Sequence, residues 1–358
     1  LDATGQTTFG VEIMIISSPQ RSLRRGFTLV EMLVVIAIIG ILAGLISVAA
    51  VKAIAAAKRA VISIEISELD QALKNYQNKF GEYPPDGTDT TISTTSNGVP
   101  DVFLRHFQRV FPRADLTSNP EGQKQLQALQ AAAQNYNPTT ALAFWLGGVP
   151  ENNSNSKSRL IGFSQNPKYP LETTSTSRIG PFFDFDFNRL DVPLNATNQI
   201  FRTYTAKGVN NGYPYVYFRA ELRQKGTAPT QAPPFIKGKE VYLTKNLHAV
   251  KALFFNSPNS VAIPTNAQLQ RSVKAYFDVT SQNWANPTSY QIIFCGLDNA
   301  FGTGNLYNTG RWNTTWGTKP ANFFYEYSNK NVVGGYDTNN YDEQTNFLKG
   351  TVIGDDLP

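Results

Sequence analysis

Glu31 stands where a carboxylate is costly. It opens an apolar run in which Met32 to Val51 carries no charge and a single hydroxyl, Ser47. An acid forced to the centre of a bilayer costs on the order of 2.5–3.5 kcal/mol, and less near one end of a span. In either place it calls for a cation. Arg24 and Arg25 precede the run, followed by Gly26 and Phe27. A cut after Gly26 would create an amine on Phe27, about one helical turn from Glu31 on the same chain. The amine of a neighbouring chain could also meet Glu31 between helices, where low dielectric strengthens the pairing. The chemistry Glu31 suits is charge pairing with an amine, which a cut after Gly26 would supply on Phe27.

Other reactive constellations are weak. The chain has 358 residues and one cysteine, Cys295, which excludes an internal disulfide and any multi-cysteine metal site. Tyr290 to Cys295 reads as a buried strand, with the thiol as a small core hydrophobe. His106 falls on a predicted helix and His248 begins a predicted strand. Neither has a motif partner, and both read as structural or solvated. There is no Gly-x-Ser-x-Gly elbow and no P-loop. Asp184-Phe-Asp-Phe-Asn188 mimics the opening of a calcium-binding EF-hand loop, but Arg189 replaces the required glycine and Asn195 the closing glutamate. Its alternation instead predicts an edge strand with one buried face. The net charge is +5, and no Lys/Arg block of five or more occurs. Nothing here calls for nucleic acid as a partner, and the sequence points away from an enzyme.

These residues need a long helix to place them. As a helix, Phe27 to Val51 spans roughly 37 Å, against about 30 Å for a bilayer core. The positive-inside rule keeps Arg24 and Arg25 cytoplasmic and places the chain beyond the span on the far side of the inner membrane. A secretory signal would have a shorter apolar core and a small-residue cleavage site on its far side; an Ala-x-Ala reading at Ala55 to Ala57 is that alternative. Here the helical pattern continues through Lys52-Ala-Ile-Ala-Ala-Ala-Lys-Arg59. Ile62, Ile66, Leu69, Leu73, Tyr76 and Phe80 then form an amphipathic stripe. The stripe suits packing under a globular body, with a coiled-coil seam as the alternative. Glu65, Glu68, Asp70, Lys74 and Lys79 fall largely off it, with Asp70 and Lys74 as a favourable i,i+4 pair. Gly81 stops the helix and Pro84-Pro85 prevents its resumption.

The remainder is aromatic and rich in Asn, Thr, Gly and Pro, which favours strands and loops. Helices are predicted over 101–112, 119–135 and 141–146. Strands are predicted at Ile200–Thr205, Tyr213–Arg219, Ala249–Asn256, Val273–Val279 and Tyr290–Cys295. Polar loops are predicted at 86–99, 150–159, 303–320 and 328–346.

Gly26-Phe-Thr-Leu-Val-Glu31, with Arg24-Arg25 before it and the apolar run after it, resembles the processing motif of type IV pilins and type II secretion pseudopilins. The likeness covers residues 21–51. It implies that a prepilin peptidase/N-methyltransferase cuts after Gly26 and methylates Phe27, and that Glu31 supports methylation and subunit docking. It also implies a homo-oligomeric filament of pilin-like subunits, an assembly platform, a motive ATPase and the inner membrane as partners. The expected fold is α+β and type IV pilin-like: a long N-terminal helix packed on an antiparallel β-sheet body, with extra helices and long loops. The expected organisation is a leader over 1–26, a transmembrane and filament-core helix over 27–51, its amphipathic continuation over 52–80, and an exported globular domain over 81–358. Met14 would open the leader, with 1–13 as an over-extended reading frame.

Tyr76, Gly81, Tyr83 and Pro84 resemble the helix-to-loop junction of the major pseudopilin of type II secretion. Asn211-Gly-Tyr-Pro-Tyr-Val-Tyr217 and Ser289 to Thr303 resemble two further stretches of it. In that family the second stretch, with a following Asp-Asp pair, holds calcium. The resemblance implies Leu297, Asp298, Asp355 and Asp356 as ligands here, with two unrelated acidic turns as the alternative. Phe103 to Arg113, Ala141 to Gly148 and Ile179 to Asn188 are similar to enlarged prepilin-like proteins of planctomycete-type bacteria. The functional alternative is a minor or tip pilin-like protein whose enlarged body binds a ligand, DNA or secreted cargo.

Overall fold

The computed structural model describes residues 27–87, 98–117, 119–192, 200–209, 213–222, 240–242, 276–278, 283–284, 286, 288–297, 325–326 and 344–347. The chain divides into two units, Leu1–Ala53 and Ile54–Pro358. In the first, every described side chain is exposed.

Helix α1 is Leu29–Phe80. It ends where the sequence demands. Gly81 has φ +83°, a left-handed conformation that glycine adopts without a Cβ penalty, and its N–H returns to the Gln77 carbonyl at 2.7 Å. Within the second unit the expected stripe is buried at Ile62, Ile66, Leu69, Leu73 and Tyr76, and Phe80 is half-buried. These residues share one apolar cluster with strands β5 (Val216–Leu222) and β9 (Tyr290–Phe294). The stripe therefore packs under the body. Strands β5 and β9 are the centre of a four-stranded antiparallel sheet. Strand β11 (Gln344–Thr345) lies outside β9, and β6 (Glu240–Tyr242) outside β5. All five residues of β9 are buried, as expected of a strand covered on both faces.

Shorter elements complete an α+β fold. Helices α2 (Asp101–Val110), α3 (Pro120–Gln130) and α4 (Ala132–Asn135) precede a π-helical turn, Ala143–Gly147. Strand β1 (Phe163–Ser164) pairs with β2 (Arg178–Ile179), and β3 (Leu190–Asp191) with β4 (Thr203–Tyr204). Strand β7 (Tyr276–Asp278) lies between β8 (Asn283–Trp284) and β10 (Tyr325–Glu326). The main sheet is antiparallel as expected, and the short β10–β7 pairing is parallel.

Several elements differ from expectation. The helix expected over 119–135 is two, interrupted at Ala131. Asn119 caps α3 by accepting from the Gly122 N–H at 2.9 Å, with Pro120 in its first turn. The edge strand expected at Asp184 to Asn188 is absent: Phe187–Arg189 is a 3-10 turn. The Asp186 carboxylate accepts from the Asn188 N–H at 3.0 Å, and a local side-chain bond of this kind competes with a ladder. Residues 344–345, placed in a loop by the sequence, are buried and paired with β9. The strand expected at Ala249–Asn256, the loop at 303–320 and His248 lie outside the described residues.

The end of α1 and the turn after it are tied to the body by tyrosine hydroxyls. Tyr290 donates to Asp70 Oδ1 at 2.7 Å, beside the expected Lys74–Asp70 pair at 2.6 Å. Tyr217 donates to the Pro84 carbonyl at 2.8 Å, and Tyr136 to that of Pro85. Asp86 accepts from the Arg219 N–H at 2.8 Å. Proline lacks a donor but keeps its carbonyl, so the two prolines prevent the helix from resuming and still anchor the turn.

The sequence places Glu65 off the stripe, yet it is buried. Its carboxylate accepts from Arg189 Nη1 at 3.0 Å and Nη2 at 2.5 Å, from the Tyr204 hydroxyl at 3.0 Å and from the Tyr215 hydroxyl at 2.7 Å. The Arg189 guanidinium also stacks on the Tyr204 ring, 4.4 Å from its centroid. Burial and the Glu65 charge hold the Tyr204 and Tyr215 hydroxyls above the ordinary phenol value, so both stay protonated as donors. Removing one partner of a buried pair leaves the other charge uncompensated. Glu65→Ala is therefore expected to lower stability by roughly 3–5 kcal/mol in urea unfolding. Joint replacement of Glu65 and Arg189 by leucine and methionine is expected to cost clearly less. An equal loss from both variants contradicts this account of Glu65.

Candidate functional site

Helix α1 starts at Leu29 because Thr28 caps it. The Thr28 Oγ1 accepts from the Glu31 N–H at 3.2 Å, and Glu31 Oε2 accepts from the Thr28 N–H at 2.7 Å. This reciprocal pair is a capping box, Thr-x-x-Glu, which satisfies two helix-end donors. The Thr28 hydroxyl donates to the same oxygen at 2.9 Å. Among the described residues, every hydrogen bond to the Glu31 carboxylate falls on Oε2, which leaves Oε1 open to a further donor. A carboxylate in the first turn also suits the positive end of the helix dipole. Phe27, just outside the cap, is 76% exposed. Gly26, the residue before the expected cut, lies outside the described residues.

From Phe27 to Ile54 every side chain is exposed. A continuous apolar exposure of this length is not the surface of a chain that meets only water. The helix is long and apolar enough to cross a membrane, which is compatible with a single-pass anchor. Of the four calcium ligands implied by resemblance, Leu297 is described and half-buried, in the turn after β9; Asp298, Asp355 and Asp356 lie outside the described residues. Cys295 is buried directly after β9, as expected of a core thiol.

His106 has partners that sequence spacing did not reveal. Its Nε2 lies 2.9 Å from the Tyr76 hydroxyl and its Nδ1 2.6 Å from Glu82 Oε1. Glu82 Oε2 in turn meets Arg109 Nη1 at 2.5 Å and Arg219 Nη2 at 3.6 Å. The neutral ring fits this chain, with Nδ1–H donating to Glu82 and Nε2 accepting from Tyr76. Tyr76 and His106 are buried, and the triad joins α1, the turn after it and α2.

Burial holds the His106 imidazole below its ordinary value of 6.5. The hydrogen bond and charge of Glu82 oppose that shift, and Arg219 and Arg109 reinforce it. The unfolded chain thus takes the proton first, and the stability His106 contributes is present above about pH 6.5 and lost as pH falls toward its native value. Burial alone would raise Glu82, but the hydrogen bond and charge of His106 and the charges of Arg219 and Arg109 hold it below 4.5. Its contribution is lost only at lower pH, in the same direction. Urea midpoints of the wild type should therefore fall from about pH 7 to pH 5, and His106→Gln should flatten that fall. A wild-type midpoint constant over this range contradicts the assignment.

Residues 21–47 match the family model of the prokaryotic N-terminal methylation motif. No curated protein and no solved structure matches the chain. The matched residues contain Arg24, Arg25, Gly26, Phe27, the capping pair Thr28 and Glu31, and most of the exposed apolar run. At these residues the chain carries a prepilin-type N-terminal methylation motif.

Proposed function

We propose that the protein is a structural subunit of a pilin-like filament, a pseudopilin of a type II secretion or type IV pilus-type machine. The observation that carries this reading is the capped helix end, Phe27 to Glu31, inside the methylation motif and ahead of an exposed apolar helix. In this reading the peptidase cuts after Gly26 and the new amine of Phe27 is methylated. Residues 27–51 cross the inner membrane with the N-terminus cytoplasmic, and residues 81–358 form the exported body. Assembly moves the apolar helix from lipid into a filament core, where other copies replace lipid as its surroundings. Glu31 Oε1 then takes a donor from a neighbouring amine, which offsets the cost of placing a carboxylate there. Free energy for extraction comes from a separate ATPase and platform. No catalytic step is assigned to this chain.

The test separates processing from assembly. In the cell that makes the chain, Glu31→Ala is expected to leave the cut at Gly26 intact. The same variant should reduce the chain recovered in sheared, pelletable filaments by at least tenfold, about 1.4 kcal/mol per subunit contact. Wild-type recovery from Glu31→Ala would remove the docking role.

A further inference from the structure

The body grips α1 at Arg59, whose carbonyl accepts from Gln344 Nε2 of β11 at 2.9 Å, and Ile62 is the first buried side chain of the helix. Just ahead of that grip, Ile54, Ala57 and Lys58 are exposed. The charges of this stretch are one-sided. Between Glu31 and Glu65 the sequence holds no acid, yet it holds Lys52, Lys58 and Arg59. Glu65, the first acid beyond them, is engaged by Arg189. Among the described residues neither Lys58 nor Arg59 enters an ion pair. Arg59 is half-buried, and its Nε is buried without a hydrogen-bond partner. A cation partly withdrawn from water calls for an anion.

Position along the chain says which anion. Lys58 follows the end of the uncharged run, Val51, by seven residues, about 10 Å of helical rise. The headgroup layer of a bilayer is about 5–7 Å deep on each side of its core. Cα–Cβ bonds in a helix tilt toward its N-terminus, so Lys58 and Arg59 lean back toward the apolar run, and long basic side chains of this kind snorkel to the interface. Attraction to an anionic surface falls off within a Debye length, about 8 Å at physiological salt, and both cations come within that range. Ile54, 58% exposed and one turn before Lys58, adds an apolar contact. Cations beside exposed apolar surface suit a lipid interface. We infer that Lys58 and Arg59 bind the headgroups of anionic phospholipids in the leaflet on the exported side. The inference rests on the membrane-anchor reading above and adds lipid selectivity to it. Departure of the helix from the bilayer then breaks headgroup contacts as well as apolar ones, and anionic lipid retains the subunit.

The experiment uses the full chain in vesicles of phosphatidylcholine and phosphatidylglycerol in equal parts. Ile54→Cys carries a bimane label, and buried Cys295 stays unlabelled. Bromine on the acyl chains of one lipid at a time quenches the label according to how much of that lipid lies beside it. Phosphatidylglycerol is expected to be favoured at least threefold over phosphatidylcholine at low salt, and less at high salt. The double variant Lys58→Gln with Arg59→Gln should lower that preference at least twofold. So should Lys58→Glu alone, a change at an exposed position that leaves the Arg59 contact with the body in place. Equal quenching by the two lipids in the otherwise wild-type chain overturns the site, and so does an unchanged preference in both variants. Quenching by neither lipid would place this end of the helix outside the bilayer and overturn the anchor reading as well.

Discussion

A carboxylate in apolar surroundings must be given donors, and helix α1 carries two that face this constraint in different media. Glu31 meets it within its own first turn, through the Thr28 N–H and hydroxyl. Glu65 meets it across the fold, through Arg189, Tyr204 and Tyr215. One helix can thus run from a membrane-compatible segment into a folded body without leaving a charge unanswered. The two solutions differ in kind. The Glu31 arrangement leaves one carboxylate oxygen open and suits a contact still to be made. The Glu65 arrangement takes up both oxygens, and it fixes the helix to the body.

Much of the remaining architecture depends on that fixation. Tyr290 holds Asp70, His106 holds Tyr76 and Glu82, and Tyr217 and Tyr136 hold the carbonyls of Pro84 and Pro85. The apolar stripe supplies the driving force for burying this side of α1. The polar ties make that burial specific, because each buried hydroxyl or carboxylate has one arrangement in which it is satisfied. Ile54, Ala57, Val61 and Ile64, on another face of the helix, stay exposed.

Features set by local period and local chemistry were legible in the sequence. The stripe from Ile62 to Tyr76, the stop at Gly81, the Asp70–Lys74 pair and the cap at Asn119 depend on neighbours a turn or two away. The methylation motif was legible because Arg24 to Glu31 is a short, contiguous pattern. The donors of Glu65 were not, since they lie 124 to 150 positions further along the chain; local spacing shows only that it falls off the stripe. His106 hid in the same way, because Tyr76 and Glu82 are 30 and 24 positions away. Asp184 to Asn188 misled for the opposite reason: its alternation was strand-like, but Asp186 closes a local turn that a ladder cannot match.

The central claim is that Gly26 and Phe27 are a processing junction and that Phe27 becomes the capped, amine-bearing end of α1. Intact-mass analysis of the membrane-derived protein tests this most directly. The account predicts a mature species that begins at Phe27 and carries one added methyl group. A chain recovered uncut, or cut at Ala55 to Ala57 beyond the apolar run, would contradict it.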